Sequence, residues 1–405
     1  MNDPRLIAFY LPQFHPIPEN NQWWGEGFTE WRRVVQARPL FKGHHQPHLP
    51  ADLGFYDLRL PEAREAQAEL ARRHGIHGFC YYHYWFHGKR MLQRPFEDVL
   101  ATGRPDFPFC LCWANENWTR VWDGNERQIL MRQDYGTEDD LAHIRTLIPA
   151  FRDRRYIRID GKPLFLIYRP EDLPDPKRTA AVWRKEAELA GIGGLYLAKV
   201  ESFTGGVDPR DMGVDGAVEF APDWRKMGRL KPFGAGEELL TRIGLLPKSY
   251  LNLQITDYEF LMREMLGKPR PEYDFFRCVT PGFDNTPRRG ERGAVFINST
   301  PERYEQWLGA LVDWTKARYQ GDRRLIFVNA WNEWGEGNHL EPDQRHGRAF
   351  LEATARAVSG DRAHSHRPNG AEQQVSPYKK AYWRGRRVVQ HVGNLIREVR
   401  FSRSE

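Results

Sequence analysis

The sequence predicts a (β/α)8 barrel with extended loops after its strands and a C-terminal basic amphipathic helix. Eight short apolar runs recur along the chain, and helix-like or loop-like segments separate them. The runs are continuous rather than alternating in apolar character, as strands buried on both faces are. No glycine-rich dinucleotide or phosphate loop follows the first run, which argues against the main alternative, an open doubly wound sheet.

In order, the predicted strands are LIAFYL from Leu6, HGFCYYHYW from His77, FPFCLCWA from Phe107, PLFLIY from Pro163, GLYLAKV from Gly194, VDGAVEF from Val214, FFRCVTP from Phe275 and LIFVNAW from Leu325. Between them, LPEAREAQAELARRHG reads as a helix with Pro61 in its first turn and Gly75 at its end. TAAVWRKEAELAGIGG stops in the same way at Gly191, and TPERYEQWLGALVDWTKARY has Thr300 as N-cap and Pro301 at the first helical position. The barrel is expected over residues 1–358, a polar Pro/Gly-containing linker over 359–377 and the amphipathic tail over 378–405. In that tail Val388, Val389, Val392, Leu395, Ile396 and Val399 repeat at helical spacing among basic residues.

The 405 residues carry 60 Lys and Arg against 54 Asp and Glu, a formal net charge of +6. From residue 371 onward there are eight bases and three acids, leaving 52 bases and 51 acids in a nearly neutral body. The basic excess therefore concerns the tail, and with no recognised binding module it excludes a nucleic-acid partner. No window reaches the roughly 18 apolar residues of a membrane span, and the opening MNDPRLIAFYLPQFH lacks the pattern of an export signal. Cys80, Cys110, Cys112 and Cys278 lie in apolar runs without zinc-like spacing and read as buried reduced thiols. The expected location is the cytoplasm, peripherally at the inner membrane through residues 378–405.

Barrel active sites lie at the C-terminal ends of the strands, so the residues following each run are the candidates. The first run is followed by Tyr10, Gln13 and His15, then by Trp24, Glu30 and Trp31. The second brings His83, Tyr84 and Trp85, the third Trp113, Asn115, Glu116 and Trp118, the sixth Glu219, and the eighth Trp331, Asn332 and Trp334. Nine of the 14 Trp fall in such segments, and aromatic faces beside carboxylates and amides suit a sugar, whose C–H groups stack on rings while its hydroxyls take directed hydrogen bonds.

Glu333 and Glu336 are the sharpest pair. Three residues apart after the last strand, they come to neighbouring positions if the chain turns there, and retaining glycosidases need two carboxyls about 5–5.5 Å apart. His44, His45 and His48 lack a regular helical spacing and have only Asp52 as an obvious acidic partner, so hydrogen bonding within a loop is expected, with no metal or other cofactor.

The runs FYLPQFHPIPENNQWWGEGFTEW, YYHYWF, WANENWTRVWDG and NAWNEWGEGNHLEPD resemble, in order over roughly residues 5 to 350, the WbsX-type glycosyltransferases of surface-polysaccharide clusters, which are related to glycoside hydrolase family 99. The resemblance implies a (β/α)8 barrel, retention of anomeric configuration and no metal requirement. It also implies that Glu333-Trp334-Gly335-Glu336 matches the Glu-Trp-x-Glu catalytic motif, with Glu333 as base on a sugar 2-hydroxyl and Glu336 as acid and then base. The spacing alone leaves a direct nucleophile open. The expected partner is a glycan or lipid-linked oligosaccharide. The expected activity is glycosyl transfer or remodelling in O-antigen or capsule assembly; an endo-α-mannosidase-like hydrolase and a non-catalytic glycan-binding barrel are the alternatives.

Overall fold

The computed structural model describes residues 3–120, 125–203, 205–228 and 233–360. The amphipathic helix read over 378–405, all but the first two residues of the linker and Trp122 lie outside the described residues.

All eight runs form strands: β1 (Arg5–Tyr10), β2 (Ile76–Phe86), β3 (Phe109–Trp113), β4 (Lys162–Ile167), β5 (Tyr196–Glu201), β6 (Gly216–Glu219), β7 (Asp274–Val279) and β8 (Leu325–Val328). Each pairs in parallel with the next, and β8 closes on β1 with Leu6 opposite Ile326 and Ala8 opposite Val328. The result is a closed barrel with helices on its outside. Burial on both faces explains the continuous apolar character: Leu6, Ile7, Ala8 and Phe9 of β1 and Leu325 through Val328 of β8 are all fully buried. The four cysteines are buried and free.

Helix ends follow local chemistry. Thr300 accepts a hydrogen bond from the Arg303 amide ahead of the Pro301–Arg318 helix, and Pro61 opens the Pro61–Arg73 helix. The helix expected from Thr179 starts earlier, at Pro176, because Asp175 caps it by accepting from the Arg178 amide. Among the described residues no helix is long and apolar enough to cross a membrane.

The elaborations that shape the site all follow strand ends. A hairpin of Trp118–Arg120 and Asn125–Met131 follows β3, and Asn332–Glu333 pairs antiparallel with Asn338–His339 after β8. Gln254–Asp257 and Ala294–Ile297 form a two-stranded parallel sheet beside the loop after β7, which the apolar pattern does not announce.

Candidate active site

Strand alternation decides which residues of β2 can meet a ligand, because successive side chains point to opposite faces. Tyr82 and Tyr84 share the inner face. Tyr82 stacks on Phe9 of β1, with ring centroids 5.5 Å apart, and lies edge-on to Tyr168 after β4. Tyr168 in turn packs edge-on against Phe220 after β6, so four strands supply one aromatic floor. Trp118, on the hairpin after β3, packs edge-on against Tyr84 at 5.2 Å and against Trp23 at 6.0 Å, extending the floor into a wall.

His83 and Trp85 point the other way. Both rings stack on His143 of the Thr137–Arg152 helix, where Trp113 also packs, and Trp85 donates to Asp139 at 2.9 Å. The sugar-contact expectation for His83, Trp85 and Trp113 is therefore corrected: they join the barrel to its outer helices. Tyr10 is likewise turned outward, its hydroxyl donating to Gln67 at 2.6 Å. Glu219 is also withdrawn, fully buried between Arg277 at 2.7 Å and Lys268 at 3.0 Å.

Other predicted residues brace the loops that carry the site. Asn332 clamps the backbone of Leu11, accepting from its amide at 2.8 Å and donating to its carbonyl at 3.0 Å. Fully buried Trp331 packs on Phe79, and Trp31 donates to the Tyr56 carbonyl. Trp334 stacks on His339 at 3.7 Å and donates to Glu341 at 2.6 Å. Gln13 and His15 are buried; burial pushes the His15 imidazole down to about 4, so it is neutral. Trp24 is partly exposed, with the guanidinium groups of Arg33 and Arg120 over its ring. Asn115 holds Arg169, accepting from its amide at 2.8 Å and donating to its carbonyl at 2.7 Å. The Arg169 guanidinium donates to the partly exposed Glu116 at 3.0 Å.

The Glu-Trp-Gly-Glu segment makes one tight turn, Trp334–Glu336, after the Asn332–Glu333 strand. What gathers its two carboxylates is Arg288, from the loop after β7. This one guanidinium donates to Glu333, Glu336 and Glu30, each at 2.7 Å, through its three different nitrogens. The two acids of the motif are thus held side by side on one fork, with Glu30 beneath. Burial opposes the charge on Arg288, but the three carboxylates outweigh it and hold the guanidinium firmly protonated. Arg288 has no motif around it and sits 45 residues before Glu333, so sequence reasoning passed it by; so did Tyr168 and Arg169, which follow β4.

Gly335 explains the unspecified third position of the motif here. A Cβ built on it would stand 1.7 Å from a Glu30 carboxyl oxygen, closer than any side chain allows. Only glycine admits the Glu30–Arg288 layer under the turn.

One guanidinium cannot neutralise three carboxylates, and Glu333, buried between the other two, bears the imbalance. Burial, reinforced by Glu336 and Glu30 and opposed by Arg288, pushes Glu333 up to about 8. Burial also raises the hydroxyls of Tyr82 and Tyr84, and the Glu333 charge adds to both. Tyr168 is raised by burial, and the charges of Glu116 and Glu336 add to it. The arrangement is a carboxyl pair bridged by one guanidinium and holding a proton at neutral pH, in the loops after the strands of a barrel whose inner face carries an aromatic floor.

A family model described as "Glycosyltransferase WbsX" matches residues 6–354. Two curated relatives, each described as "Uncharacterized protein WxcX" and coming from two strains of Xanthomonas campestris pv. campestris, are 45% identical over 354 residues. The match covers 87% of this chain and 49% of each relative, so the chain spans about half of their length. Among solved structures, the GH99 endo-alpha-mannosidase from Bacteroides thetaiotaomicron aligns over 88% of this chain and 97% of its own, with a TM-score of 0.52 at 14% identity. A "Glycoside hydrolase-like protein" aligns with a TM-score of 0.52 at 12% identity, over 88% of this chain and 94% of its own. At such identities the likeness is one of fold.

Proposed function

The chain belongs to the glycosyltransferase WbsX family, and on that footing we propose that it is a carbohydrate-active enzyme that transfers or remodels glycosyl units with retention during assembly of a surface polysaccharide. The observation that carries the reading is the pair Glu333 and Glu336, both bound by Arg288. A sugar ring resting on Tyr82, Tyr84 or Trp118 brings its glycosidic bond to the carboxyls. A protonated carboxyl aids the leaving oxygen, and its partner acts on the opposite side of the reaction, either directly on the anomeric carbon or on the 2-hydroxyl. Burial and the neighbouring carboxylates raise Glu333, so the free site holds a proton on the pair at neutral pH.

The substrate is proposed to be a lipid-linked oligosaccharide. Purified enzyme incubated with such acceptors and sugar nucleotides is expected to give extended or rearranged saccharides only when both are present. Release of new reducing ends without any donor would instead support the second reading, hydrolysis, which the shared fold with an endo-alpha-mannosidase favours. Binding without any turnover would return the chain to a glycan-binding barrel.

The basic tail is proposed to hold the enzyme at an anionic membrane face, each Lys or Arg near the surface contributing roughly 1 kcal/mol. The full chain is expected to sediment with phosphatidylserine-containing vesicles at low salt and to be released as salt rises. Equal sedimentation after deletion of residues 371–405 would remove the membrane role.

A further inference from the structure

The histidines of GHHQPHLP do not all behave as loop residues. His44 is fully engaged: its Nδ1 accepts from the Leu40 amide at 2.9 Å and its Nε2 donates to Asp284 at 2.6 Å. His48 is different. Its Nδ1 faces the Nε2 of His339, a residue 291 positions away, at 3.2 Å. Asp343 completes a group whose ligand atoms all lie within 4.8 Å of one another, with Asp343 Oδ2 3.9 Å from His339 Nε2.

The surroundings prepare these atoms. The His339 Nδ1 lies 3.0 Å from the Glu341 carbonyl, which can only accept, so that nitrogen carries the proton and Nε2 presents a lone pair. A backbone carbonyl on the far nitrogen is the usual way a ligating imidazole is fixed in tautomer and orientation. Asp343 uses Oδ1 to accept from the Arg345 and His346 amides, which leaves Oδ2 turned to the histidines. His346 Nδ1 lies 3.5 Å from Oδ2. Backbone bonds from Gln344 to Leu49 and from Ala51 to Pro342, each 2.9 Å, lace the two segments together, so the group exists before any ion arrives. Residues flanking His48 and Asp343, among them His45 and Arg345, line an open cavity of about 460 Å³.

We propose that His48, His339 and Asp343 form a site for a divalent transition ion of the zinc class, with His346 or water as fourth ligand. Zn–N bonds of about 2.0–2.1 Å in a tetrahedron separate two ligand nitrogens by about 3.3 Å, close to the 3.2 Å between His48 and His339. Two imidazoles and one carboxylate are a borderline donor set suited to such ions and unsuited to Ca²⁺ or Mg²⁺. His339 stacks under Trp334, between the two acids of the turn, so the ion braces the hairpin that carries Glu333 and Glu336 rather than meeting the sugar. The site is independent of the reaction proposed above.

The test is calorimetric titration of untagged, chelator-treated full-length protein with Zn²⁺, alongside the visible spectrum of the Co²⁺ form. One equivalent is expected to bind saturably and raise Tm, with Co²⁺ giving a tetrahedral d–d band. His48→Ala and Asp343→Asn are expected to weaken binding by at least tenfold and abolish the band, while metal-free Tm and far-ultraviolet circular dichroism establish that each variant is folded. Absence of saturable binding to the wild type, or unchanged binding in both variants, would reduce the group to a histidine–histidine hydrogen bond only and overturn the proposal.

Discussion

Replacing Glu333 by Gln is expected to lower kcat by roughly 10²–10⁴-fold, the usual contribution of a positioned proton-transfer group. The substitution keeps the side chain's shape and lets its amide oxygen accept from Arg288, so Tm should change far less than activity. Glu336→Gln is expected to cause a comparable loss. Normal turnover in both variants would defeat the catalytic assignment. The pH profile separates their roles. Because burial and the neighbouring Glu336 and Glu30 push Glu333 up to about 8, activity that depends on its proton should fall as pH rises through about 8. Glu30→Gln removes one of the charges that hold the value up and is expected to move this limb to lower pH. A rate that climbs through pH 8 instead would make Glu333 the base, as the family resemblance implies.

Arg288→Met is expected to destabilise the fold by about 3–5 kcal/mol at neutral pH, the range seen when one partner of a buried charge cluster is removed. Three carboxyls then share a pocket without a cation, and Glu30 is fully buried. The sign with pH follows from Glu333. Its folded value lies above its unfolded one, near 4.3, so the stability linked to its protonation is fully present below about 4.3 and is lost as pH rises through about 8. Without Arg288 that window extends upward, and the deficit of the variant relative to wild type should shrink at pH 5, where protonation relieves the repulsion. Adding Glu30→Gln to Arg288→Met should restore part of the lost Tm. Denaturant titration at pH 5 and 7.5 measures each of these differences; a neutral-pH loss below about 1 kcal/mol would show that the carboxyls do not depend on the guanidinium. Lysine is a poor replacement, since a single ammonium lacks the planar fork that reaches three partners at 2.7 Å.

The places where the sequence reading and the structure part company have a common cause. His83, Trp85 and Trp113 sit at strand ends as expected, yet a strand presents only alternate residues to the barrel mouth, and these three belong to the other set. In β2 the continuous apolar run hides the alternation, because both faces are buried. Trp331, Asn332 and Trp334 lie beside the acids in sequence, but their partners are Phe79, Leu11, His339 and Glu341, which makes them supports for the turn. Arg288 was illegible for the opposite reason. Nothing near it in the chain marks it, and its meaning comes wholly from three carboxylates that the fold delivers from other loops. Glu30, one acidic candidate among several, gains its place from the same contact.

By itself the sequence determined the barrel, its eight strands and the acid pair, because these depend on local matters: continuous apolar runs, caps such as Thr300, and two glutamates within one turn. Tertiary structure alone decided which aromatic faces turn inward, which cation gathers the acids, which acid is buried among them and which histidines meet His48. Each of those is a relation between atoms tens to hundreds of residues apart, set by strand alternation and by charge brought together out of water. No spacing along the chain encodes them.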